Sequence, residues 1–262
     1  MNNKKIDDLN YLSSYNLKQK IIFILGTGRS GTHWLGYILE NHPLIKATIE
    51  KKSIFRLVVK IALDSSKKEK LYPKLIKKYK NQLDKYPNFH YLDKSHPNIW
   101  IAQDLLKTFP NAKFVGIIRN PYATISSMFL HKGVMSWIKN WNRYPIPNKF
   151  LGITEENSKF YDDFSLTKKC MLRWISHYNQ MKFLQSHLNS SILVLSYEDL
   201  ITIGYEPLKK IEKFLDLEIP LTIKKVKQES LNKWKKNLTD VQINEITEML
   251  KSVNLNEFIL TN

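Results

Sequence analysis

The 262-residue chain has 41 Lys and Arg against 24 Asp and Glu, a net charge of +17, yet only five of its basic residues are arginines: Arg29, Arg56, Arg119, Arg143 and Arg173. Lysine is the default surface cation here, so each arginine is informative. A guanidinium presents a planar fork of donors that grips an oxyanion at two points, which an ammonium does not reproduce. Arg29 lies inside Gly26-Thr27-Gly28-Arg29-Ser30-Gly31-Thr32, where three glycines let the backbone wrap tightly. At the start of a helix such a turn offers backbone N–H groups and the positive end of the helix dipole to an anion, with Arg29, Ser30 and Thr32 as further donors. Arg119 ends a second apolar run and is followed by Ser126 and Ser127. Both arginines, at the ends of strands, are candidate anion cradles.

These residues need a scaffold that brings strand ends together. The run 21–25 (Ile-Ile-Phe-Ile-Leu) is continuously apolar, as in a strand buried on both faces, and leads directly into the glycine-rich turn. A helix over 33–41 follows, with Trp34, Leu35, Ile38 and Leu39 on one side and His42-Pro43 as its stop. The stretch 44–49 reads as a strand ending at Glu50, and Ile54, Leu57, Val58 and Ile61 mark another helix. Residues 66–86 form a Lys-rich amphipathic helix whose lysines face solvent. Strands are expected at 89–92, 112–118 and 191–195, and helices at 98–108, 166–188 and 205–216. Residues 131–165, rich in Trp, Tyr, Pro and Asn without a steady period, read as an irregular insertion of the kind that forms lids, and the tail around Trp234 reads as loop-rich. Alternation of strands and helices predicts a single α/β domain over 1–262, a central parallel sheet with helices on both faces.

Composition removes several classes. An apolar share of 43% and a charged share of 25% are those of a globular chain, and the lone Cys170 forms no internal disulfide. No metal site is expected, because the histidines and Cys170 lack ligand spacing. The N-terminal residues lack the apolar stretch of a signal peptide and no run approaches the roughly 20 residues of a membrane span, so a soluble cytoplasmic protein is expected. The glycine-rich turn departs from the triphosphate-binding P-loop pattern, since Thr32 and His33 stand where Lys and then Ser or Thr are required. A nucleotide kinase or triphosphatase is therefore the weaker alternative, and a basic nucleic-acid-binding protein is another.

Arg29-Ser30-Gly31-Thr32-His33-Trp34-Leu35 resembles the 5′-phosphosulfate loop of sulfotransferases, (K/R)-S-G-T-(T/S)-x-(L/W), departing only at His33. Arg119 and Ser127, eight residues apart after a strand, are similar to the family's 3′-phosphate motif. Tyr197-Glu198-Asp199-Leu200 and Leu231-Asn232-Lys233-Trp234 carry further likeness. The resemblance implies a P-loop-like three-layer fold and transfer of a sulfuryl group from 3′-phosphoadenylyl sulfate (PAPS) to an acceptor hydroxyl or amine, with a carbohydrate or glycolipid acceptor favoured by the family branch. It implies donor binding by Thr27, Gly28, Arg29, Ser30, Gly31, Thr32, His33, Arg119, Ser127, Tyr197 and Lys233. Arg29 would meet the leaving phosphate, and Lys94, in Asp93-Lys94-Ser95, would lie beside the sulfuryl group. For the base it leaves two candidates: Glu50, seven residues after Pro43 as in the tyrosylprotein branch, with Lys52 and Arg56 as nearby cations, and His96, as in KTH-type segments. An imidazole near pKa 6.5 serves as a base untuned, whereas a carboxylate near 4.3 needs desolvation. Glu50 is the favoured candidate on sequence similarity.

Overall fold

The computed structural model describes residues 18–223 and 228–259, so most of the N-terminal segment read above lies outside the described residues. Five strands, β1 (Ile21–Gly26), β2 (Ile45–Ile49), β3 (His90–Lys94), β4 (Lys113–Ile118) and β5 (Ile192–Ser196), form one sheet in the order β2-β3-β1-β4-β5. Every pairing is parallel. The central strand explains the layers. Ile21, Phe23 and Leu25 face one core with residues of the helices Lys52–Leu63, Lys68–Lys85 and Leu166–His187. Ile22 and Ile24 face the other, against Thr32–Glu40 and Tyr205–Leu215. A strand covered on both faces has no polar face to show, which is why its sequence is unbroken apolar.

From β1 the chain runs outward to β2, whereas from β4 it runs the other way to β5, so the sheet reverses direction between β1 and β4. Parallel sheets bind ligands outside the carboxyl ends of the strands at such a reversal. The two arginine-bearing turns are the ones that leave these neighbouring strands, whose last pairing is Gly26 with Ile117.

Three sequence expectations need correction. The segment 131–165 is not irregular throughout: Lys132–Lys139 is a helix that buries Val134 and Ile138, capped by His131, whose Nδ1 accepts from the Val134 N–H at 3.2 Å. Two turns are too short for a period to stand out among scattered aromatics. The tail is not loop-rich but contains the helix Asp240–Ser252, opened by a capping box in which Thr239 and Gln242 exchange hydrogen bonds. The predicted helix 98–108 is divided into a 3-10 turn, His96–Trp100, and a helix, Ala102–Thr108.

Candidate active site

The turn after β1 is shaped from within. Both the backbone N–H and the hydroxyl of Ser30 donate to the Thr27 carbonyl, at 3.1 and 2.7 Å. Ser30 is buried, and both donors close the loop on itself. Gly31 adopts φ 95°, and a Cβ there would come within 2.3 Å of the Tyr197 ring; only glycine satisfies both conditions. The helix Thr32–Glu40 starts at Gly31 with no side-chain cap, leaving its first N–H groups and positive dipole end to a ligand.

Arg29 and Glu50 both have positive φ, 82° and 49°. The other non-glycine residues of this kind among the described residues are Asn189, Asp216 and Asn254, types that tolerate the left-handed region. Arg and Glu do not, and such strain concentrates at sites of function. The Arg29 Nε donates to the Ser127 hydroxyl at 3.1 Å, so the two predicted cradles touch. Arg119 donates to the carbonyls of Arg29 (3.2 Å) and Ser230 (3.0 Å), and its guanidinium lies 4.3 Å above the Tyr197 ring. Trp34 meets the same tyrosine edge-on at 5.7 Å. Arg119, Ser127, Tyr197 and Lys233 line one cavity of about 220 Å³, together with Ser126 and Ser230.

A second cavity of about 130 Å³ lies beyond Arg29, lined by Gly28, Thr32, His33, Glu50, Lys94 and His96 on one side and Phe55, His131, Val134 and Trp137 on the other. Pairing of β2 with β3 sets its chemistry. Ile49 is in register with Lys94, and the next residue, Glu50, donates its N–H to the Lys94 carbonyl at 3.0 Å. The Lys94 ammonium, 1% exposed, pairs with the Glu50 carboxylate and donates to His33 Nδ1 at 2.9 Å. His96 Nδ1 lies 3.3 Å from the same carboxylate, which can only accept, so the imidazole donates there and Nε2 keeps the lone pair. That nitrogen faces Gly28, where a Cβ would lie only 3.1 Å away, and has no partner among the described residues.

The electrostatics follow from this packing. Burial pushes the Glu50 carboxyl up, but the His96 hydrogen bond and the Lys94 charge outweigh it and hold the group at about 2. Burial lowers Lys94 more than Glu50 restores it, and burial takes His96 down to about 3. His33 and His131 are also lowered, chiefly by burial. The histidines are neutral near pH 7, and the charged groups of this cavity, Arg29, Lys94 and Glu50, leave a net positive charge. Two cationic cavities joined at Arg29, an uncapped helix start and the buried Nε of Arg119 that lacks a partner fit a ligand with two anionic ends. Among the described residues no cluster of three His, Cys, Asp or Glu is placed to hold a metal ion, and no helix is long and apolar enough to cross a membrane.

The family profile described as "Sulfotransferase family" matches residues 22–220. The chain belongs to the sulfotransferase family. It is similar to the protein-tyrosine sulfotransferase of Drosophila melanogaster, 25% identical over 228 residues, which cover 80% of this chain and 41% of that protein. The chain thus spans under half the length of that relative. Among solved structures it shares the fold of the sulfotransferase domain from the curacin biosynthetic pathway, with a TM-score of 0.56 at 16% identity, covering 89% of this chain and 98% of that one. It also shares the fold of mouse sulfotransferase SULT7A1 complexed with PAP, with a TM-score of 0.51 at 20% identity and coverage of 96% and 92%. The predicted parallel sheet and P-loop-like class agree with this likeness.

The structure brings together Gly28, Arg29, Thr32, His33, Glu50, Lys94 and His96 in one cavity and Arg119, Ser127, Tyr197 and Lys233 in its neighbour. Thr27 is buried beneath the loop and supplies the carbonyl that closes it. Sequence reading missed His131, Phe55 and Val134 as cavity walls and Ser230 as the Arg119 partner; of the insertion aromatics Trp137, Trp141, Tyr144 and Tyr161, which suit stacking on an acceptor, only Trp137 lines this cavity. Only His131 carried a local signal, as a polar residue ahead of a short apolar pattern.

Proposed function

We propose that the protein is a PAPS-dependent sulfotransferase acting on a phenolic hydroxyl. The observation that carries this reading is the pair of cationic cavities joined by the Arg29–Ser127 hydrogen bond. PAPS supplies a sulfuryl group on a 5′-phosphate, with a separate 3′-phosphate. The turn Gly26–Thr32, Arg29 and the uncapped helix start would hold the first, and Arg119, Ser127 and Lys233 the second, with Tyr197 and Trp34 beside the base.

Group transfer of this type asks the protein chiefly for position and charge. Arg29 stands between the cavities, where it stabilises charge on the leaving oxygen. Lys94 is steered by Glu50 and His33 and offers a buried cation to the transferring oxygens. Glu50 receives the acceptor proton. A carboxylate held at about 2 is a weak base, and moving the Lys94 hydrogen bond off it strengthens it. The His96 contact supports a second form of this step, in which Nε2 takes the proton while Glu50 orients the ring. Phenol is preferred over a sugar or glycolipid hydroxyl because Phe55, Val134 and Trp137 make an apolar wall suited to a flat ring, and the Drosophila relative is a tyrosine sulfotransferase.

The test has three arms. Adenosine 3′,5′-bisphosphate (PAP) should raise the Tm saturably while ATP with Mg²⁺ or duplex DNA does not, since a ligand of the native state stabilises it. Labelled sulfate from PAPS should reach tyrosyl peptides or simple phenols before oligosaccharides. Glu50→Ala should abolish turnover while keeping the PAP response; an active Glu50→Ala enzyme transfers the base role to His96, and a folded protein indifferent to PAP refutes the donor assignment.

A further inference from the structure

Of the three arginines that line neither cavity, Arg56, Arg143 and Arg173, only the last is buried. Arg173, on the helix Leu166–His187, is 0% exposed, and its Nε, Nη1 and Nη2 have no hydrogen-bond partner among the described residues. Among the described residues its neighbours supply no carboxylate. The guanidinium lies 4.6 Å from the Phe150 ring and 5.9 Å from that of Trp137, and the groups that act to raise its pKa are Cys170 and Tyr161. Burial pushes the Cys170 thiol up to about 12 and raises the Tyr161 hydroxyl as well, so both are neutral near pH 7. Burial lowers Arg173 only to about 10, so it stays charged.

The other buried polar atoms without partners among the described residues include the Tyr161 hydroxyl, Trp100 Nε1 and His177 Nε2. The rings connect: His177 packs edge-on against Trp100 at 5.0 Å and Phe150 at 5.5 Å, and Phe150 faces Arg173. The guanidinium, indole N–H and phenol O–H are donors. A full positive charge inside a protein costs several kcal/mol unless a partner offsets it, and aromatic faces offset it only in part.

We propose that Arg173 is the centre of a buried anion site that takes a halide, with the Tyr161 hydroxyl and Trp100 Nε1 as neighbouring donors. The class follows from the surroundings: complete burial, aromatic walls, and a place outside the lining of the two site cavities. A single-atom anion needs the least space and is indifferent to the direction of its donors. The site lies behind Trp137, which walls the Glu50 cavity, so the anion trims the positive charge at the back of the acceptor pocket.

The full-length protein is melted at constant ionic strength with sodium gluconate replaced stepwise by chloride, bromide or acetate, alongside Arg173→Met. Each tenfold rise in chloride or bromide above its dissociation constant should raise the wild-type Tm by about 3–5 °C. The variant, which loses a buried charge and keeps its volume, should fold and ignore the halide. Crystals of the wild type soaked in bromide should show an anomalous peak within hydrogen-bond distance of an Arg173 nitrogen, a readout independent of the variant. Equal melting in gluconate and chloride, a shift with acetate alone, an identical shift in Arg173→Met, or no bromide at Arg173 would each overturn the assignment. None of these readouts depends on PAP or on turnover, so failure here leaves the transferase reading intact.

Discussion

Replacing Glu50 by glutamine keeps the side chain's size and removes its charge, and the consequence for stability can be worked from the site. The carboxyl falls from 4.5 to about 2 on folding, chiefly because the His96 hydrogen bond and Lys94 outweigh the cost of burial. At about 1.4 kcal/mol per tenfold change, a drop of this size contributes about 3 kcal/mol at pH 7. The group is an acid with a depressed folded value. Its contribution is therefore complete above about 4.5 and is lost as pH falls towards 2, with about 1.4 kcal/mol left at pH 3 by the same relation. Glu50→Gln also leaves Lys94 with no carboxylate, and breaking a buried pair from one side costs about 3–5 kcal/mol, which is consistent. In a domain of this size the variant should melt about 6–12 °C below wild type at pH 7. The gap should shrink by more than half at pH 3. Adding Lys94→Met should recover part of the loss, because the stranded cation is gone. Scanning fluorimetry of wild type and the two variants across pH 3 to 7 checks this. A Glu50→Gln protein melting within 2 °C of wild type at pH 7, or a gap that does not change with pH, refutes the coupling on which the site's electrostatics rest.

Other substitutions probe the cradles. Gly31→Ala forces φ 95° on a residue with a Cβ and drives it against Tyr197, so it should cost roughly 1–3 kcal/mol and abolish the PAP-induced rise in Tm. Arg119→Lys keeps the charge but loses the fork that reaches the Arg29 and Ser230 carbonyls; PAP affinity by calorimetry should fall about tenfold or more. Ser127→Ala removes the acceptor for Arg29 and should weaken PAP by a smaller factor, about three- to tenfold, without a change in Tm above about 4 °C. The buried Cys170 thiol, pushed up to about 12, should resist iodoacetamide at pH 8 in the native protein and react fully in urea, as read by mass spectrometry.

The sequence made the anion-binding half of the site legible because backbone requirements leave local marks. A strand buried on both faces reads as an apolar run, and a turn that must wrap tightly reads as Gly26, Gly28 and Gly31. An arginine at the end of each of two such strands then points to the crevice where the sheet reverses. Lys94 was harder to place, since nothing local separates it from the lysine background. Its special status comes from β3 running two residues further than the apolar pattern 89–92 indicates, which buries Asp93 and Lys94 at the strand's end. Asp93 is accommodated there by Thr48, Tyr79 and Asn98, partners that lie 45, 14 and 5 residues away and leave no joint pattern.

The proposed acceptor side was less legible, for a related reason. Phe55 comes from a helix after β2, whereas Val134 and Trp137 come from a helix of eight residues and His131 from its cap, so the wall exists only once β2 and β4 have been placed. Distance along the chain also hid the relation between the two base candidates. Read as sequence, Glu50 and His96 belong to different branches of the family and compete. In three dimensions the Ile49–Lys94 register places both on one hydrogen-bonded cluster, 3.3 Å apart, with Lys94 as their common neighbour. A carboxylate that orients an imidazole and a carboxylate that takes a proton itself require the same contact, so the competition is one of proton affinity within a single unit. Burial lowers His96, and the His96 hydrogen bond and Lys94 hold Glu50 low against the opposing effect of burial. In the proposed transfer, whatever shifts the Lys94 ammonium off Glu50 strengthens that carboxylate as a base, and this makes Lys94 the residue on which the choice between the two candidates turns.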